Sequence, residues 1–162
     1  MLQVKSTIMA LAAAVTLSLA GGTGAAAAEL INKDGMTGPE VAAWLQGAGY
    51  KAELSRDKTG DPMIRSASGG VNFTVLFYDC KNDRCRALQF SSGFDLGDGM
   101  TLAKANEWNK KHRYLKTYLD DEMDPYVEFD VNLDAGRTMA GLNDDFAIWT
   151  DMLADFAVFI DW

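Results

Sequence analysis

From Val71 onward the chain alternates: Val71, Phe73, Val75 and Phe77 are interleaved with Asn72, Thr74, Leu76 and Tyr78, and after a polar turn a second run leads back through Phe90. A period of two marks a strand with one buried face, so residues 71–79 and 85–94 are predicted to form a β-hairpin. Two shorter strands are predicted before it, 50–56 and 63–67, divided by the turn formers Asp57-Lys58-Thr59-Gly60-Asp61-Pro62. Two more follow, 114–119 and 126–133. In the last, Val127, Phe129, Val131 and Leu133 alternate with Glu128, Asp130 and Asn132, which predicts a sheet with one wet face.

Helical spacing separates these strands. Thr37-Gly38-Pro39-Glu40 supplies an N-cap, a first-turn proline and the acid of a capping box. Val41, Trp44, Leu45 and Ala48 then recur three and four apart, and Gly49 can end the helix. Trp44 reads as a core residue. A second helix is predicted from Thr101 to about His112, with Leu102, Ala105, Trp108 and Asn109 facing inward and the bases Lys110, Lys111 and Arg113 suiting the dipole at its end. The third and longest begins near Met139. Its stripe of Leu142, Phe146, Trp149, Leu153, Phe156 and Ile160 is widened by Ile148, Met152, Phe159 and Trp162. So wide a stripe reads either as a deeply buried helix or as a homodimer seam formed by Trp149, Met152, Phe156 and Phe159.

The expected fold is therefore α+β, a single mainly antiparallel twisted sheet of five to six strands packed with three helices in the order α-β-β-β-β-α-β-β-α. No repeat or linker interrupts residues 29–162, which are expected to form one domain. Ahead of them, one basic residue, a twelve-residue apolar run from Ile8 to Leu19 and the small residues Ala26-Ala27-Ala28 have the form of a secretory signal peptide, residues 1–28. The run is short for a bilayer span, and no stable membrane insertion is expected. The periplasm, or secretion, is the expected destination.

Charge narrows the partners. The chain carries −8, and loss of Lys5 with the leader makes it −9. Nucleic acid is excluded by repulsion, and soluble, cationic or apolar partners stay open.

The only two cysteines, Cys80 and Cys85, flank Lys81-Asn82-Asp83-Arg84 at the hairpin tip. In an exported chain this predicts a structural disulfide, since the spacing is not the CxxC of thiol oxidoreductases. The single histidine, His112, reads as a solvated helix cap, and no serine stands in a GxSxG elbow. Asp120-Asp121-Glu122-Met123-Asp124-Pro125 fails as a calcium loop, because Pro125 stands where glycine is needed and Val131 where the bidentate glutamate belongs. A turn explains it. No catalytic residue, metal site or cofactor is expected.

Several segments resemble the YbjN family, described as bacterial sensory-transduction regulators. They are Met36-Thr37 to Gly49-Tyr50, the hairpin from Tyr78 to Phe90, Ala105-Asn106-Glu107-Trp108-Asn109, Tyr118-Leu119-Asp120-Asp121-Glu122, Glu128-Phe129-Asp130-Val131 and the aromatic C-terminal helix. The resemblance implies a fold like that of type III secretion chaperones, a regulatory or protein-binding role, and no catalytic residues or cofactor. Cytoplasmic regulation is the usual suggestion for the family, and the leader and cysteines depart from it. The function expected is that of an exported, non-enzymatic module binding an unidentified protein or peptide. The alternative is a small-molecule or hydrolytic site between sheet and helices, with Asn106, Trp108 and Asn109 in a shared pocket.

Overall fold

The capping box forms as the residues dictate. Thr37 N–H donates to Glu40 Oε2 at 2.7 Å, and Glu40 N–H donates to Thr37 Oγ1 at 3.4 Å, so two orphan donors are satisfied reciprocally. Helix α1 (Gly38–Gly47) follows. It stops where Gly49 takes a φ of +89°; Gly49 N–H then reaches Gln46 O and Tyr50 N–H reaches Leu45 O, at 3.0 and 2.9 Å. That pair of bonds is a Schellman close.

The computed structural model describes residues 30–162; the predicted leader lies outside them. Two strands precede α1, β1 (Leu30–Asp34) and β2 (Met36–Thr37). After it come β3 (Glu53–Arg56), β4 (Pro62–Ser68), β5 (Val71–Lys81) and β6 (Arg84–Gly93). Helix α2 (Leu102–Lys111), β7 (Lys116–Leu119), β8 (Pro125–Asn132), β9 (Asp134–Thr138) and α3 (Met139–Ile160) complete the order. The main sheet runs β3-β4-β5-β6-β8-β7, with β2 also pairing β6. All its pairings are antiparallel.

The α+β architecture and the three helices agree with the sequence reading, with three additions. Counting β2, the main sheet has seven strands rather than five or six, and β1 pairs β9 in a separate ribbon. None of the three shows the alternation of a half-buried strand. The two-residue β2 is too short to carry a period, and Asp134-Ala-Gly-Arg-Thr138 has almost no apolar side to present.

One face of the sheet carries Ile64, Val75, Phe77, Leu88, Phe90, Val127, Phe129 and Val131, all buried, and the helices supply the facing layer through Val41, Leu45, Trp108, Leu142, Phe146, Trp149, Leu153 and Phe156. Rings tile the contact. Trp149 stacks on Phe90 at 5.7 Å and meets Phe73 edge-on, and Trp108 meets Phe156 edge-on at 4.9 Å. Trp149 Nε1 has no hydrogen-bond partner among the described residues, so packing alone holds that ring. Trp44 is half-buried, not enclosed; it lies edge-on to Phe146 and its Nε1 donates to Asn143 Oδ1 at 2.9 Å. Leu102 departs further from expectation, being 71% exposed at the start of α2.

Candidate functional site

The buried side chains of all three helices pack on one face of the sheet, and the strands turn their other parity to the opposite face. The registers place Leu76, Gln89 and Asp130 in one row across it, and Thr74, Ser91, Glu128 and Lys116 in the next. Tyr78, Tyr118 and Tyr126 stand among them because each occupies a position of outward parity. Tyr78 and Tyr118 are 46% and 47% exposed.

A hydrogen-bonded chain crosses four strands of this face. Tyr78 Oη donates to Gln89 Oε1 at 3.2 Å, and Gln89 Nε2 donates to Asp130 Oδ1 at 2.9 Å and to Glu128 Oε2 at 3.3 Å. From the far edge Tyr118 Oη donates to Glu128 Oε1 at 3.1 Å. Partial burial, then the neighbouring Glu128 charge, pushes the Tyr118 hydroxyl up to about 12. Burial, then Glu128, Asp130 and Asp57, raises Tyr78 as well. Tyr118 stacks on Tyr126 at 5.5 Å. The Tyr126 ring in turn lies over Gly93, where an added Cβ would meet it at 2.7 Å. Glycine is needed there so that the ring can cover the strand.

Two shallow depressions mark the face. One, of about 490 Å³, is lined by Tyr78, Ala87, Gln89, Asp130, Val131 and Asn132. The other, of about 420 Å³, lies toward β3 and β4 beside Arg65, Asn72, Thr74 and Ser91.

At one end of the sheet is the hairpin tip. Cys80 and Cys85 are cross-strand partners joined by a disulfide, their Cα atoms 3.9 Å apart. The turn itself is Asn82-Asp83, both at positive φ, a two-residue turn whose hand matches the strand twist. Two arginine–carboxylate forks anchor it. Arg56 holds Asp83 at 2.8 and 3.1 Å, and Arg84 holds Glu40 at 3.0 and 3.1 Å while also reaching Gly35 O at 2.9 Å. The Arg56 hydrogen bonds and charge hold the Asp83 carboxyl below its ordinary range. Partial burial works to raise Glu40, but the bonds from Arg84 and Thr37 outweigh it and hold that carboxyl low too.

The YbjN family profile, "Putative bacterial sensory transduction regulator", matches residues 39–162. This chain belongs to the YbjN family. No curated protein matches the sequence. The matched span opens inside α1 and closes beyond α3, so it takes in the hairpin, the tyrosine face and β9 but not β1 or β2.

In this YbjN chain two of the four residues expected on a partner surface are unavailable for one. Trp149 and Phe156 are fully buried against the sheet, and only Met152 and Phe159 remain part-exposed. The wide stripe is filled from several sides: the Trp44, Trp108, Phe90 and Phe94 neighbourhoods close on it through Phe146, Phe156 and Phe159.

The shared pocket around α2 does not form either. Trp108 is buried with Nε1 donating to Leu115 O at 2.9 Å. Asn109 bonds both ways to the backbone of one residue, accepting Thr117 N–H and donating to Thr117 O, both at 3.0 Å. That doubly bonded amide stitches α2 to β7. Asn106 lies apart from them on the exposed side of α2, beside Glu107, Lys110 and Lys111.

His112 caps α2 as expected but is half-buried, its ring stacked 3.6 Å from that of Trp108. The acidic run is a turn: Asp120 Oδ1 accepts the N–H groups of Glu122 and Asp124, and Asp124 Oδ1 accepts that of Leu96. Among the described residues no three His, Cys, Asp or Glu side chains stand together as metal ligands. The tyrosine face went unrecognised in the sequence, although the outward parity of Tyr78 and Tyr126 was a usable signal.

Proposed function

We propose that this YbjN protein is an exported, non-enzymatic regulatory module that acts by binding another polypeptide on the helix-free face of its sheet. The observation that carries the reading is the outer face itself, where exposed tyrosines and a bonded carboxamide–carboxylate array stand uncovered beside two depressions. Tyrosine suits such a surface because it offers large contact area at small entropic cost. The sensory-transduction description of the family supports a regulatory role. Export is supported by the disulfide between the chain's only two cysteines, a bond that persists in oxidising compartments.

Site-specific photocrosslinking in cells tests the binding face. A photoreactive side chain at Leu76 or Ser91 is expected to capture a discrete polypeptide, while one at Asp151 on the exposed side of α3 captures none. Equal capture from both faces would sink the proposal. Mass spectrometry of the protein from the periplasmic fraction tests export; an intact Met1 terminus with two free thiols would contradict it.

A homodimer is the second reading. It is favoured by Val158, 78% exposed on α3, beside the part-exposed Phe159. A strict monomer by light scattering at high micromolar concentration would remove it without touching the sheet-face reading.

A further inference from the structure

The larger depression on the outer face is chemically one-sided. Of its six lining residues only Asp130 is charged, and none is basic. Asp130 accepts one hydrogen bond from a neutral amide, and Glu128 accepts from Gln89 and Tyr118, also neutral. The salt bridges formed by the described residues include neither carboxylate.

Three bases stand near them, and none is paired with either carboxylate. Lys116 stands opposite Glu128 in register on the edge strand but makes no ion pair with it. Arg65 shares that row from β4, on the far side of β5 and β6. Arg86, in β6 itself, is engaged by Asp79 and Asp134 at 3.6 and 3.8 Å. A carboxylate oriented by a fixed amide, next to an exposed tyrosine ring and without its own cation, lacks one component.

We propose that this depression takes the side chain of an arginine in a partner polypeptide lying extended across the outer face, with the guanidinium over the Tyr78 ring and its N–H groups directed at Asp130. The inference rests on the docking-face reading above and names the chemistry of the partner. Arginine fits better than lysine because its planar, weakly hydrated head stacks on an aromatic ring while forking onto a carboxylate.

A polypeptide fits better than a free cation because the second depression follows the first along the same two strands: β5 and β6 line one at Tyr78 and Gln89 and the other at Thr74 and Ser91. Tyr78 and Thr74 are four residues apart on β5, roughly 13 Å at about 3.3 Å per residue, a span for several extended residues. There Asn72, Thr74 and Ser91 offer polar groups to a peptide backbone. A second copy of the chain is disfavoured as occupant, since two such faces would set Glu128 and Asp130 against like charges on a protein already at −8.

The test is an array of random nonapeptides with arginine, lysine, glutamine or glutamate fixed at the centre, probed with labelled protein made from the full coding sequence. Arginine-centred peptides are expected to retain at least fivefold more protein than glutamine-centred ones, with lysine between and glutamate at background. Asp130→Asn, checked for an unchanged circular dichroism spectrum and melting temperature, is expected to abolish the arginine preference, and Tyr78→Leu to reduce it severalfold.

Equal retention on arginine and glutamine peptides would overturn the arginine site while leaving the docking face standing. Retention on none of the peptides would overturn both. Should free arginine or spermidine compete as well as the best peptide, mole for mole, the commitment to a polypeptide falls.

Discussion

Arg84 and Glu40 face each other across the junction of the hairpin and the first helix, joined by two near-parallel hydrogen bonds of 3.0 and 3.1 Å. Because Glu40 Oε2 also accepts Thr37 N–H, one carboxylate both caps α1 and fastens it to the disulfide-closed tip. Local helix chemistry and long-range packing therefore meet in a single side chain.

Glu40→Ala is expected to cost about 1–2 kcal/mol, roughly the loss of a helix cap plus a part-exposed ion pair. Acid should act on the same contacts. Glu40 and Asp83 have folded-state pKa values below their ordinary 4.5 and 3.8, so their stabilisation is present above those values and is lost as pH falls through the lower folded ones. Thermal melts should show stability declining below about pH 5, and the Glu40→Gln, Asp83→Asn double variant should show a shallower decline. An identical pH profile for the variant would refute the assignment.

Reducing the Cys80–Cys85 bond releases a six-residue ring. The loop-entropy relation gives about 2 kcal/mol for a ring of this size, so the denaturant midpoint should fall with reductant at unchanged m-value. No shift in the midpoint would show that the two arginine forks hold the tip without the disulfide.

Asn109 and Asn106, three residues apart on α2, should behave differently. Asn109→Ala strips Thr117 of a partner for both its N–H and its C=O, and is expected to destabilise by about 1–3 kcal/mol. Asn106→Ala, on the exposed side, should stay within about 0.5 kcal/mol of the parent. Chemical denaturation distinguishes the two, and equal effects would argue against the stitch to β7.

Tyr118 offers a spectroscopic handle. Its hydroxyl is raised in the folded state to about 12 from an ordinary 10.0, so the stability linked to it is present below the unfolded value and lost as pH climbs from about 10 to 12. Ultraviolet titration should show a late-ionising component to which both Tyr118 and Tyr78 contribute, and Tyr118→Phe should diminish it. Titration of all tyrosines together near 10 would contradict the bond to Glu128.

The element order was legible because each signal was local. The Thr37 capping box, the Gly49 stop and the Val71–Phe77 alternation all act within a few residues, and the cysteines announced the hairpin tip. What was not legible depends on strand order. Nothing near Tyr118 in sequence says that β8 lies between it and β6, so the array linking Tyr78, Gln89, Glu128 and Tyr118 stays hidden until the sheet is assembled. The partner of Asn109 is hidden for a related reason: helix spacing places its amide on a face but does not reveal that it bonds both the N–H and the C=O of Thr117. The same limit applied to Trp149 and Phe156, whose stripe is wide because several neighbours share it.

The placement of β8 between β6 and β7 also sets an order of events in folding. Strands β3 to β6 zip through short turns, whereas pairing β8 to β6 joins residues such as Ala87 and Asn132, far apart in the chain, and must first meet a larger loop-closure cost. Val75→Ala is thus expected mainly to slow refolding and Val127→Ala mainly to speed unfolding, a contrast stopped-flow kinetics can check; the opposite pattern would place β8 in the nucleus. Until β8 arrives, β6 is a bare edge displaying Leu88 and Phe90. A chain still at that stage is most vulnerable to pairing with its neighbours.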